Sequence, residues 1–184
     1  MNAGPRVVGV DLSLTSTGVA VVERDGAVAV HRLQPKGMSG HERLRWIVEH
    51  VEALCSPLFA PRDEWADVVV VEALFVGGKT QGSLGERFGL FWLLRDRLYS
   101  LGIPATTMEP SQLKKYATGR GNAGKDEVLL GVARRYPDVE ITGNDQADAL
   151  ALAAAARDHY GAPLAVVPQV HREALAKVVW PDLA

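Results

Sequence analysis

Cysteine is almost absent from this chain. The single residue, Cys55, permits no internal disulfide and no zinc site built on thiolates. It falls at an apolar helical position, so it reads as an inert core thiol, and redox chemistry is not expected. Long hydrophobic runs are missing as well. The most continuous, ALALAAAA at 149–156, is far shorter than the roughly 20 residues that cross a bilayer. The N-terminus, MNAGPRVVGVDL, lacks the apolar stretch of a signal peptide, so the expectation is a protein of the cytoplasm with no membrane partner. An overall positive charge, the usual mark of a nucleic-acid binder, is also lacking, since the formal net charge is −2.

That total conceals an asymmetry. Residues 79–135 hold ten Lys or Arg against five acids, which makes this stretch +5 and leaves −7 elsewhere. Such a split suits a polyanion lying over one face. A chain of 184 residues, 47% hydrophobic and 23% charged, is otherwise the make-up of one globular domain with a full core.

Periodicity predicts the elements. VVGVDLS (7–13), GVAVVE (18–23) and AVAVHRL (27–33) are short β-rich runs separated by turns, and they read as an antiparallel meander. Leu44, Ile47, Val48, Val51, Leu54 and Cys55 recur at helical spacing, giving an amphipathic helix over 40–56. DVVVVEAL (67–74) is a strand buried on both faces. A helix over 82–101, a strand over 104–108 and helices over 110–116, 126–135 and 145–160 complete an α/β pattern with a five-stranded mixed sheet. A crossover through the first helix places the fourth strand parallel to the first, so their C-terminal ends are neighbours.

An acid ends each of those two apolar strands: Asp11 and Glu72. Carboxyl ends of strands are where α/β sheets bind ligands. NDQADALALAAAA adds Asp145 and Asp148, three apart on one face at the start of a helix. Acids in a first turn also serve as caps or complement the helix dipole, and Asn144 or Asp145 fits that role too. Asp148, within an Ala-rich and hence buried helix, is harder to explain as surface. Converging carboxylates repel one another, and raised pKa values or a bound cation relieve the repulsion. Oxygen-only donors favour Mg2+ or Mn2+. Two such ions roughly 4 Å apart form a clamp for attack of water on a phosphodiester.

GRGNAGKD at 119–126 matches the nucleotide-binding pattern GxxxxGK[ST] except at Asp126, where a hydroxyl is required. The residues before it, LKKYAT, read as the end of a polar helix and not as the buried strand that such a loop follows. Its glycines still allow backbone to approach phosphate at a helix N-terminus. The expectation is DNA phosphate, with no nucleotide cofactor.

GVDLSLTSTGVAVV, VVVEALFVGGKTQGSLGERFG, PSQLKKYATGRGNAGKDEV and NDQADALALAAAA resemble, in order and at fitting intervals, the motifs of RuvC-type Holliday junction resolvases of the RNase H-like superfamily. The resemblance spans about 7–160 and implies an RNase H-like nuclease domain over 1–160, with 161–184 an extension packed on it. It implies catalytic and metal-holding roles for Asp11, Glu72, Asp145 and Asp148, with two Mg2+ ions per site and Mn2+ able to substitute. Lys114 and Lys125 match family lysines near the cleavage point, with Lys115 a substitute for Lys114. Phe75 matches an aromatic that stacks on bases at the crossover. Lys79 and Arg120 join Phe75, Lys114, Lys115 and Lys125 as expected DNA contacts. The family works as a homodimer that nicks four-way junctions symmetrically, and the helix over 82–101, with Phe91 and Trp92, is the expected interface. The excess of Arg over Lys, 14 to 6, hints at a GC-rich bacterial or phage genome. Competing readings are a nuclease for other branched DNA or for RNA, an NTP-binding protein, and a non-catalytic DNA-binding member of the fold.

Overall fold

In the computed structural model, which describes residues 3–74 and 83–183, five strands form one sheet. They are β1 (Val7–Asp11), β2 (Thr17–Val22), β3 (Val28–Leu33), β4 (Val68–Glu72) and β5 (Ala105–Met108), in the order β3-β2-β1-β4-β5. β1 pairs antiparallel with β2 and β2 with β3, whereas β1, β4 and β5 run parallel. This is the mixed sheet that the order of strands and helices predicts.

The valine-rich strands suit burial on both faces. Val8 and Val10 of β1 and Val69 and Val71 of β4 pack against α1 (Gly40–Cys55) and α2 (Leu84–Ser100). Val7, Val68 and Val70 point the other way, toward α3 (Pro110–Thr118), α4 (Lys125–Arg135) and α5 (Asn144–His159). Each fully buried valine contributes roughly 1.5–3 kcal/mol, so the two central strands are held from both faces. Cys55 lies wholly in the first layer, and burial pushes its thiol up to about 12, as an inert core cysteine requires.

α5 lies flat on the sheet because side chains are missing at the contact. A Cβ on Gly9 would stand 2.2 Å from the Ala149 carbonyl oxygen, and one on Gly18 would stand 1.9 Å from that of Asp145. Small residues on the helix match these gaps: Ala149, Ala153 and Ala156 are fully buried. Because α5 begins at Asn144, with Gly143 before it, neither Asn144 nor Asp145 is the N-cap.

Residues 161–183 run back over α3 and α5 and include α6 (Gln169–Arg172). Trp180 stacks on His159 with ring centroids 4.6 Å apart, and Thr106 Oγ1 donates to the Val179 carbonyl at 2.6 Å. Arg172 pairs at 2.9 Å with the buried Asp158, and Leu175 and Val178 join the core beneath α3. Among the described residues, no helix is long and apolar enough to cross a membrane.

Candidate active site

The register of the central pair decides where the acids go. Val10 of β1 aligns with Val71 of β4, so the next residues, Asp11 and Glu72, emerge side by side at the C-terminal ends of parallel strands. α5 lays its first two turns across the same edge and adds Asp145 and Asp148. All four line one cleft, together with Lys125, Arg32, Arg43, Arg87 and Ser16. An adjoining hollow brings Lys114 and Lys125 to Asp11, Glu72 and Asp148 from the side of α3 and α4.

The four carboxylates are not equivalent. Burial raises the pKa of Asp11, and the charge of Glu72 raises it further. Glu72 is also raised, by burial and then by the charge of Asp148. Asp148 is pushed up to about 7 by burial and by Asp11, against the pull of Lys125 and Lys114. Asp145 moves the opposite way. Burial disfavours its charge too, but hydrogen bonds from Arg32, Ser16 and the Gln146 N–H outweigh it and lower the pKa.

Three acids thus share a common strain, and the fourth is satisfied by protein donors. Among the described residues, no three His, Cys, Asp or Glu side chains stand close enough as placed to hold a metal ion. Asp11 and Glu72 share a hydrogen bond, whereas Asp145 is turned toward Arg32. The chemistry of the donor set still fits a hard divalent ion, because Asp11, Glu72 and Asp148 offer only oxygen and carry the mutual repulsion that a cation removes.

The remaining expected residues divide clearly. Lys114 and Lys125 lie at the acids. Lys115 is drawn away to Glu173 of the C-terminal segment at 2.6 Å, so it is Lys114 that reaches the cleft. Arg120 pairs with Glu127, whose carboxylate also accepts from the Gly124 N–H at 2.8 Å at the start of α4. Phe75 and Lys79 lie outside the described residues. The glycine-rich loop joins helix α3 to helix α4, with Gly119 at φ +83° closing α3, so no strand leads into it as a nucleotide-binding loop demands.

Arg32, Arg43, Arg87 and Ser16 are cleft residues that sequence reasoning missed. Ser16 stands inside the SLTSTG stretch and carries a readable hint, whereas the partner of Arg32 lies 113 residues away and no local pattern announces it.

Comparison with known proteins agrees with this geometry. The family described as "Crossover junction endodeoxyribonuclease RuvC" matches residues 7–156, a range that includes all four acids, Lys114 and Lys125. A relative of that name from Hyphomonas neptunium is 32% identical over 164 residues, covering 86% of this chain and 94% of its own. Another from Delftia acidovorans is 29% identical over 174 residues, 90% of each chain. Among solved structures, the Thermus thermophilus RuvC structure matches with TM-score 0.61 at 25% identity, covering 88% of this chain and 99% of that one. A structure of T. thermophilus RuvC in complex with Holliday junction substrate has the same fold, with TM-score 0.61 at 24% identity over 81% of this chain and 90% of that one. The ordered motifs, the strand order and a family match over most of the length lead to one conclusion: this chain belongs to the RuvC family of crossover junction endodeoxyribonucleases, which are hydrolases.

Proposed function

We propose that this chain resolves four-way DNA junctions by paired, symmetric hydrolysis of two phosphodiester bonds. The observation that carries the reading is the pairing of Asp11, Glu72 and Asp148, raised in pKa, with Lys114 and Lys125 at one sheet edge. Asp11, Glu72, Asp148 and Asp145 would hold divalent ions, Mg2+ or Mn2+. When bound, two such ions activate water and neutralise the leaving oxygen. Lys114 and Lys125 offer cations to the phosphate from the opposite wall and favour the charge that develops on it. The loop at 119–124 brings backbone close to the same strand, and α4 presents its N-terminus there. Phe75, Lys79, Lys115 and Arg120 are proposed as further contacts along the DNA arms; Lys115 and Arg120 would exchange their carboxylate partners for phosphates.

A two-fold substrate calls for two equivalent sites, and a symmetric dimer supplies them. α2 offers the surface for it. Phe91 is only 8% exposed and belongs to the core, so the interface rests on Trp92, 62% exposed, with Phe88 and Tyr99 along the same stripe. Residues 161–183 are proposed to fold as one unit with the nuclease domain. The protein works where its substrate is, in the cytoplasm of a bacterium or of a phage's host.

The test is cleavage of labelled four-way junction, fork, linear duplex and RNA:DNA hybrid with Mg2+ or Mn2+, beside Glu72→Gln. Paired nicks in the junction, lost in Glu72→Gln while junction binding persists, are the expected result. Preferential cutting of forks or of the hybrid would move the assignment to another branched or RNA-containing substrate.

A further inference from the structure

Asp145 is held by more donors than any other acid of the cleft. Arg32, on β3 opposite Gly18, donates from Nε to Oδ2 at 2.8 Å and from Nη2 to Oδ1 at 2.7 Å. The Ser16 hydroxyl donates to Oδ2 at 2.5 Å and the Gln146 N–H to Oδ1 at 3.0 Å. Each oxygen therefore accepts two hydrogen bonds, which uses the four lone-pair positions of an ionised carboxylate. Asp145 is the more sheltered member of the pair, with 13% of its side chain exposed against 31% for Arg32.

The backbone makes room for this contact. A Cβ on Gly143 would lie 1.7 Å from Arg32 Nη2 and 3.0 Å from Asp145 Oδ1, so the guanidinium takes this position in space that a side chain at 143 would crowd. The φ of Gly143 is −174°, extended backbone open to any residue, so the glycine serves the passage of Arg32 and not an unusual conformation.

We propose that Arg32 is a displaceable counter-ion that competes with a divalent cation for Asp145. The inference rests on the metal-binding reading of the cleft and goes beyond it. A cation that takes a lone pair of Asp145 must remove a donor, and it stands beside a guanidinium of like charge while it does so. The Gln146 N–H is fixed in the helix, whereas Arg32 is a long side chain on an edge strand and can leave. At Asp11, Glu72 and Asp148 the lysines Lys114 and Lys125 act through charge alone, and among the described residues no guanidinium is hydrogen-bonded to these acids. The cleft therefore takes up cations unequally, and the weaker binding event is set by Arg32.

Manganese titration of the DNA-free full chain by calorimetry tests this, comparing wild type with Arg32→Gln, Arg32→Lys and Gly143→Ala. Gly143→Ala keeps the positive charge but crowds the guanidinium at Asp145 and loosens the pair, and it is the second arm should Arg32→Gln fail to fold by metal-free thermal unfolding. The expected result is a weaker Mn2+ event that tightens about tenfold in Arg32→Gln and Gly143→Ala, in line with loss of a charge-assisted pair, and by less in Arg32→Lys. Wild-type isotherms in both Arg32→Gln and Gly143→Ala, or weaker binding in them, would overturn the proposal while leaving metal binding intact. Absence of Mn2+ binding in every protein would instead sink the metal reading, and this inference with it.

Discussion

Asp148 is a carboxyl group that the fold holds in surroundings better suited to its neutral form. In the unfolded chain it ionises above about pH 4, whereas in the folded chain it keeps its proton until about 7. Between those values the folded state binds more protons than the unfolded one, so stability falls as pH rises through that window and levels off above it. Asp11 and Glu72, raised by the same causes, act in the same sense. Asp145, lowered by its hydrogen bonds, contributes stability that is present above the ordinary aspartate range and lost as pH falls below it. Thermal unfolding without metal should therefore give a lower melting temperature at pH 8 than at pH 5. Asp148→Asn should raise the pH 8 value by roughly 3–10 °C, the equivalent of about 1–3 kcal/mol for a chain of this size. Saturating Mn2+ should raise the wild type at pH 8 and the variant much less. A pH-independent melting temperature in both proteins would remove the electrostatic argument for the site.

At the scale of elements, α4 and α2 carry the two claims most open to mutation. Lys125 is the first residue of α4 and lies at the acids, so Lys125→Ala should slow junction cleavage more than it weakens junction binding, measured by single-turnover kinetics beside a gel-shift titration. An equal loss in both would make it a general phosphate contact. On α2, Phe88, Trp92, Arg95 and Tyr99 follow one another at four, three and four residues, and the Arg95 guanidinium lies 5.8 Å from the Trp92 ring centroid. Trp92→Glu should shift the sedimentation equilibrium at micromolar concentration from dimer to monomer and leave the metal-free melt of the monomer within a few degrees. A wild type that sediments only as monomer, with and without DNA, would contradict the dimer. These elements were legible to different degrees. Asp11 and Glu72 announce themselves as the charges that end apolar strands, and the α5 acids as charges in an otherwise Ala-rich helix. Phe91 and Trp92 are adjacent and equally aromatic, so periodicity alone could not say which enters the core. Arg32 looks like any solvated residue of an edge strand, since its role depends on a register with β2 and on a helix that begins more than a hundred residues later. The splitting of Lys114 from Lys115 depends on Glu173, in a segment with no motif to align.

The molecule as a whole brings four carboxylates together from three distant parts of the chain, and the relative height of α5 over the sheet sets whether they meet. That height is fixed where β1 and β2 have no side chain to interpose. Gly9→Ala would drive a methyl into the Ala149 carbonyl and the Ala153 amide of α5, and the helix would have to lift. The expected cost is about 1–3 kcal/mol or more in stability, read by urea unfolding, with a loss of cleavage larger than that destabilisation explains. Full activity at a temperature where Gly9→Ala is still folded would show that the acids tolerate a raised helix. A genetic screen for loss of junction cleavage should accordingly return two kinds of position. One consists of the acids and lysines that any chemist would choose. The other consists of Gly9 and Gly18, whose missing side chains let α5 lie close enough to the sheet to keep the two halves of the proposed catalytic set within reach of each other.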